Sequence, residues 1–78
     1  MKVLSEVDNG DIVIIRRIKD SALKIKLLEM GFIKGKRIQV LYRAPFNGPI
    51  AFNLGHYVVS LRVDEASLIL VELKSSIS

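Results

Sequence analysis

Side chains that could carry chemistry are scarce in this 78-residue sequence, which has no cysteine and a single histidine, His56. Enzymes need a reactive group and a partner that tunes its pKa or position. No serine or carboxylate accompanies His56 in the arrangement of a known catalytic triad motif, and neither a GxxxxGKS phosphate loop nor a GxGxxG fingerprint is present. The sequence therefore argues against catalysis, and we expect no catalytic residue and no cofactor.

A metal site is the next kind of chemistry to consider. His56 with Asp64 or Glu65 could bind a divalent ion weakly, because imidazole and carboxylate groups suit several transition metals. These residues lack the spacing of a dedicated site, and a histidine in a turn is more often simply solvated. We assign no metal-ligating residue, and a weak transition-metal-sensing module remains an alternative function.

Basic residues are concentrated in the middle of the chain. The net charge is +4, and residues 16–43 hold nine basic and two acidic side chains. This asymmetry suits an acidic protein surface or a nucleic-acid backbone. A barrel that binds single-stranded nucleic acid is therefore an alternative, although such barrels interleave aromatic and basic residues, and only Phe46 is predicted to be exposed. We expect no nucleic-acid partner. The phosphate-binding patch in this alternative would comprise Arg16, Arg17, Lys34, Lys36, Arg37 and Arg43.

Short strands joined by tight turns must position these side chains. The β-branched run at residues 12–18 follows a turn signal and predicts a strand, with either Ile12, Ile14 and Ile18 or the odd-numbered residues facing inward. Alternation predicts four further strands, within residues 37–44, 50–54, 57–63 and 68–73, and one helical turn at 64–67 capped by Asp64.

The fold class follows from this order of elements. Five short strands with one helix after the first strand predict a mainly β protein, a small SH3-like antiparallel barrel. Two inward faces are assigned by alternation: Ile38, Val40, Tyr42 and Ala44 on one strand, and Tyr57, Val59, Leu61 and Val63 on another. The residues assigned to the core are Leu27, Met30, Ile38, Val40, Phe52, Leu61 and Val71.

The predicted helix has more apolar surface than one core can bury. Ser21 can cap its start, and Gly31 stands where a left-handed terminal residue is expected. Leu23, Leu27 and Met30 fall on one arc, whereas Ile25 and Leu28 fall on the opposite side beside Lys24. An apolar patch with a charged rim is typical of a protein interface. The alternative is that Ile25 and Leu28 pack beneath a neighbouring loop.

The turn at residues 45–49 is the second predicted contact region, with Phe46 at its tip. Together the two regions give the candidate partner-binding residues, which are Lys24, Ile25, Leu28, Pro45, Phe46 and Asn47.

Residues 1–74 are predicted to form one domain and residues 75–78 a polar C-terminal tail. The N-terminal residues lack the apolar core of a signal peptide, and no apolar run approaches the roughly 20 residues of a membrane-spanning helix. A small domain without disulfides fits a reducing compartment. We therefore expect a cytoplasmic protein that does not insert into the membrane.

Several short patterns together resemble the FeoA family of bacterial ferrous iron uptake, over about residues 4–73. Residues 26–32, followed by Lys34-Gly35, are similar to the family's pattern at the end of its helix. Ala44-Pro45, residues 48–50, Leu61-Arg62 and Glu65-Ala66 are similar to its later pattern. Three positions depart from the family: Lys26 replaces an arginine, Met30 a leucine and Val63 a basic residue.

This resemblance implies an SH3-like barrel without enzymatic activity. It also implies a link to FeoB, the membrane iron transporter with a cytosolic GTP-binding domain. We therefore expect a non-catalytic accessory protein that docks on that domain and modulates or assembles the transporter, with weak self-association left open.

Overall fold

Six β-strands, two short α-helices and one 3-10 turn make up the computed structural model, which describes residues 1–74. The strands are β1 (Lys2–Val3), β2 (Ile12–Ile18), β3 (Arg37–Arg43), β4 (Ile50–Asn53), β5 (Val58–Leu61) and β6 (Ile69–Leu73). The helices are α1 (Lys24–Glu29) and α2 (Val63–Ala66), and the 3-10 turn is Leu4–Glu6. None of the helices described in residues 1–74 has the length and apolar character that a membrane crossing requires. The predicted tail at 75–78 lies outside the described residues.

The strands form one antiparallel sheet in the order β1-β6-β2-β3-β4-β5. Side chains from five of these strands and from α1 meet in a single apolar cluster, around which the sheet curves. Phe32 and Phe52 pack edge to face at its centre, with ring centroids 6.0 Å apart. The mainly β antiparallel class is confirmed. Of the seven predicted core residues, six are buried, and Met30 packs against the cluster from its margin.

The strand that the sequence missed is β1, which pairs with β6 so that Lys2 lies opposite Val71. Two residues are too few to show an alternating pattern, so β1 could not be predicted from periodicity. The chain that follows β1 places Leu4 and Val7 in the core. The Arg43 guanidinium donates hydrogen bonds to the backbone carbonyls of Ser5 and Val7 and holds this segment against β3.

Bulges decide which side chains of β2 and β3 face inward. On β2, Val13 and Ile15 are buried, as the odd-numbered alternative predicts, but the register shifts before Arg17, and Ile18 is then buried instead. On β3 the register shifts after Val40, and Tyr42 is 59% exposed. The prediction that Tyr42 faces the core is therefore wrong.

The C-terminal end of helix α1 agrees with the prediction, but the predicted Ser21 cap is wrong, because the helix begins at Lys24 after Leu23 and no side chain caps it. The Ser21 hydroxyl accepts a hydrogen bond from the backbone N–H of Leu23 at 3.2 Å, just before the helix begins. Gly31 follows the helix with φ +106°, a conformation that glycine adopts without steric cost. Leu27 is fully buried, as predicted.

Helix α2 begins one residue earlier than its predicted cap. Asp64 lies inside the helix, so the assignment of Asp64 as the cap is wrong. The carboxylate of Glu65 instead accepts a hydrogen bond from the backbone N–H of Arg62 at 2.9 Å, which satisfies a donor at the helix start.

Candidate docking surface

The outer arc of α1 is exposed on the described domain. Ile25 is 70% exposed and Leu28 is 38% exposed, whereas Leu27 between them is enclosed by the core. The predicted division of the helix into two apolar arcs is therefore confirmed, and no loop encloses Ile25. Lys24 lies beside this arc and forms an ion pair with Asp20 at 3.1 Å.

Tyr57, just before β5, and Val58, its first residue, add to this apolar surface. The hydroxyl of Tyr57 donates a hydrogen bond to the backbone carbonyl of Met30 at 2.9 Å, which ties the start of β5 to the end of α1. Tyr57 and the following Val58 are both exposed. Strand alternation predicted that the Tyr57 ring faces the core, and this prediction is wrong, because the phenol reaches across to the helix.

The turn between β3 and β4 presents an isolated aromatic ring. The backbone N–H of Gly48 donates to the carbonyl of Pro45 at 3.1 Å, and both central residues, Phe46 and Asn47, have φ of 58°. These angles are those of a type I′ turn, in which glycine and asparagine are typical and a bulky residue is rare. Phe46 is fully exposed, at 100%. The turn thus holds its largest apolar side chain away from the domain.

A shallow groove connects the turn to the helix. One depression, of about 630 Å³, lies beside Asn47, and a second, of about 510 Å³, lies beside Lys26. Both are lined by Pro49, Arg62 and Asp64, so they are neighbours, and we call the two together the groove. We call the outer arc of α1, the Tyr57–Val58 segment, this groove and the 45–49 turn together the docking surface. The predicted residues Lys24, Ile25, Leu28, Pro45, Phe46 and Asn47 lie at its two ends.

Glu65 of α2 holds the charged side chain of Lys26 in place within the groove. Glu65 accepts a hydrogen bond from the Arg62 backbone N–H and pairs with Lys26 at 3.3 Å. These donors hold the pKa of the Glu65 carboxyl below its usual value, the backbone hydrogen bond being the largest cause. The carboxylate therefore stays ionised at neutral pH, and the groove combines apolar walls with both signs of charge.

The metal alternative depends on His56 with Asp64 or Glu65. Within residues 1–74 no group of three or more histidine, cysteine or acidic side chains is close enough to hold a metal ion. His56 is exposed in the turn before β5, and Glu65 is engaged at the start of α2.

The residues of the nucleic-acid alternative separate into two groups. Arg43 donates hydrogen bonds to the backbone carbonyls of residues 5 and 7, so its side chain stabilises the fold. The other five basic residues lie together where β2 meets the chain that leads into β3. Exposed Tyr42 and Tyr57 correct the expectation that Phe46 is the one exposed aromatic residue.

Known proteins are similar to this chain in both sequence and fold. The FeoA domain family model matches residues 2–73. A Porphyromonas gingivalis fusion protein of Fe(2+) transport protein A and Fe(2+) transporter FeoB is 42% identical over 74 residues. That match covers 94% of this chain and 9% of the fusion protein, so the chain spans about a tenth of that relative's length.

Two solved structures are similar over almost their whole length. An FeoA-like protein from Clostridium acetobutylicum superposes with a TM-score of 0.88 at 33% identity, covering 99% of this chain and 91% of that one. Stenotrophomonas maltophilia FeoA complexed with zinc, a procaryotic SH3 domain protein, gives a TM-score of 0.81 at 26% identity, covering 92% and 91%. The expected SH3-like architecture is confirmed, and the chain belongs to the FeoA domain family.

Proposed function

We propose that this chain is a non-catalytic accessory protein of ferrous iron uptake that works in the cytoplasm. In this proposal it docks on the cytosolic GTP-binding part of an FeoB-type transporter, and it modulates or assembles that transporter. The observation that carries the proposal is the Porphyromonas gingivalis relative, in which a domain 42% identical to this chain is joined to FeoB in one polypeptide. Joining two domains raises their effective concentration toward each other, which is useful when the two must bind.

The docking surface has the features of a protein interface. Apolar side chains, among them Ile25 and Phe46, are exposed at its ends, and charged residues rim the groove between them. Interfaces typically gain most of their free energy from a few anchors that enter pockets on the partner. Phe46 suits this role, because the turn already holds its ring in an extended position and little ordering is needed on binding.

The size of the domain is compatible with such a partner. A standard interface covers about 800 Å² on each protein. The described domain has 5034 Å² of accessible surface, so one partner would cover about a sixth of it.

The test is binding of the full chain to the purified GTP-binding portion of FeoB, with GTP, with GDP and without nucleotide. We expect measurable affinity in at least one nucleotide state. The pair Ile25→Ser and Phe46→Ala should weaken it at least tenfold in combination. Ile12→Ser is the matched control, because Ile12 is also an exposed isoleucine but lies on the outer face of β2.

Two results would overturn parts of the proposal. Absence of binding in every nucleotide state would remove the GTP-binding portion as the partner. Binding by the double variant at the affinity of the unmodified chain would show that the contact lies elsewhere on the domain.

A further inference from the structure

Five basic residues form a cluster that the docking surface does not include, and we call it the basic corner: Arg16, Arg17, Lys34, Lys36 and Arg37. Backbone pairing brings them together. Ile14 pairs with Arg37 across β2 and β3, and the backbone N–H of Ile15 donates to the carbonyl of Lys36 at 3.0 Å. Gly35, which follows Lys34, donates its N–H to the Ile15 carbonyl at 2.7 Å. The two segments that carry these cations therefore run next to each other.

The basic corner is largely uncompensated. Arg16 pairs with Glu72 at 2.9 Å, and no other ion pair within residues 1–74 involves the corner. Arg17, Lys34, Lys36 and Arg37 also form no side-chain hydrogen bond within that part of the chain. Arg43 shows the contrast, because its guanidinium is used to hold the fold together. Within residues 1–74, four cations therefore have no partner and can meet an anionic surface.

The side chains beside the basic corner are aliphatic apart from the partly exposed ring of Tyr57, whose hydroxyl is bound to the Met30 carbonyl. Ile33, next to Lys34, is 54% exposed, and Ile14, opposite Arg37, is half-buried. Proteins that bind single-stranded nucleic acid place aromatic rings among their basic residues, so that bases can stack. Here Tyr42 lies at the far end of β3 from Arg37, and Phe46 lies beyond it in the turn. Cations beside aliphatic side chains instead suit a lipid surface, where the cations meet headgroups and an aliphatic group enters the interface.

We propose that the basic corner binds the anionic headgroups of a phospholipid bilayer, with Ile33 at the boundary of the acyl region. The domain then lies on the membrane surface without crossing it. This binding does not require the transporter, so it goes beyond the function proposed above. It does leave the docking surface free, because the two surfaces share no residue.

The experiment is sedimentation of the full chain with vesicles of phosphatidylcholine alone or mixed with phosphatidylglycerol, at increasing salt. We expect binding to the anionic vesicles, weakening as salt rises, and none to the neutral vesicles. Each cation near an anionic surface contributes on the order of fivefold in affinity. The double variant Arg17→Gln and Arg37→Gln should therefore bind roughly 25-fold more weakly.

A matched control separates the basic corner from overall charge. Lys26→Gln with Arg62→Gln removes the same charge from the groove, and it should keep vesicle binding within about twofold. Equal losses in both double variants, or equal binding to neutral and anionic vesicles, would overturn the proposal. So would tighter binding, at the same salt, to a random single-stranded oligonucleotide than to the anionic vesicles, since that result would assign the corner to nucleic acid.

The outcome is independent of the docking test. The Arg17→Gln and Arg37→Gln variant should bind the GTP-binding portion of FeoB as the unmodified chain does. Failure of vesicle binding would leave docking standing, and failure of docking would leave vesicle binding standing.

Discussion

Gly31 is the residue at which two steric requirements meet. Its φ of +106° is one that other residues adopt only with strain, and a Cβ there would collide with the Tyr57 hydroxyl. The missing side chain therefore lets the phenol reach the carbonyl of Met30 and closes the end of α1 against β5. The local sequence predicts the left-handed turn but contains no sign of the approaching tyrosine.

Replacing Gly31 by alanine should be more costly than the same change at Gly35. Gly35 also has a positive φ, +89°, but nothing lies within 4 Å of a Cβ built there. We expect Gly35→Ala to lower the free energy of unfolding by about 1 kcal/mol and Gly31→Ala by about 2–3 kcal/mol. Urea denaturation measures both.

The Tyr57 contact can be isolated with a double-mutant cycle. Tyr57→Phe removes the colliding oxygen, so Gly31→Ala should cost less in that background than in the unmodified chain. Additive effects of the two changes would contradict the collision.

Leu27 and Leu28 are adjacent on α1, but we expect their loss to have different effects on stability. Leu27→Ala should lower the free energy of unfolding by about 2–5 kcal/mol, because the side chain is fully buried. Leu28→Ala should cost less than about 1 kcal/mol and should weaken binding to the GTP-binding portion of FeoB. Denaturation and binding of both variants check the assignment, and a Leu28 variant as unstable as the Leu27 variant would show it to be wrong.

At the level of elements, periodicity predicted the helix better than the strands. The division of α1 into buried and exposed arcs needs only the helical repeat, and it is present in the structure. Strand faces depend on register, and one extra residue reverses the facing of every residue after it. The bulges after Ile15 and Val40 are set by pairing with distant strands, so the local sequence could not indicate that Tyr42 turns outward.

Helix α2 gives a pH prediction through Glu65. Its pKa is lowered in the folded domain, so the ionised carboxylate stabilises the fold above the ordinary glutamate pKa, about 4.3. That contribution disappears as pH falls through the lower, folded pKa. Glu65→Ala should lower the free energy of unfolding by about 1 kcal/mol near neutral pH and by less in acid.

Urea denaturation at neutral and acidic pH tests this, with Glu29→Ala as the control. Glu29 ends α1, is exposed and forms no ion pair within residues 1–74. A loss on Glu65→Ala that is the same at both pH values would argue that the carboxylate charge contributes nothing.

For the whole molecule, the sequence predicted the class of fold and the exposure of Ile25, Leu28 and Phe46. It could not predict the groove between them, because Pro49, Arg62 and Lys26 are far apart in the chain and meet only when β4, α2 and α1 pack together. The same packing separates Arg43 from the other cations of the predicted phosphate patch. The sequence alone does not indicate which basic side chains form hydrogen bonds within the fold.

Two separate surfaces on one domain predict that the chain can bridge a membrane and a protein. The GTP-binding portion of FeoB should sediment with phosphatidylglycerol vesicles only when this chain is added. With Ile25→Ser and Phe46→Ala, the chain should still sediment and the GTP-binding portion should stay in solution. Equal sedimentation of the GTP-binding portion with and without the chain would remove the bridging role.

The pairing of β1 with β6 has a consequence for how this domain is attached to other proteins. Lys2 and Val71 face each other across those two strands, so the polypeptide enters and leaves the barrel at one corner. A tether spliced ahead of the first strand would start from nearly the same place as one spliced behind the last. In a gene fusion, the barrel would then have almost the same orientation toward its fusion partner whether it comes before or after that partner in the chain.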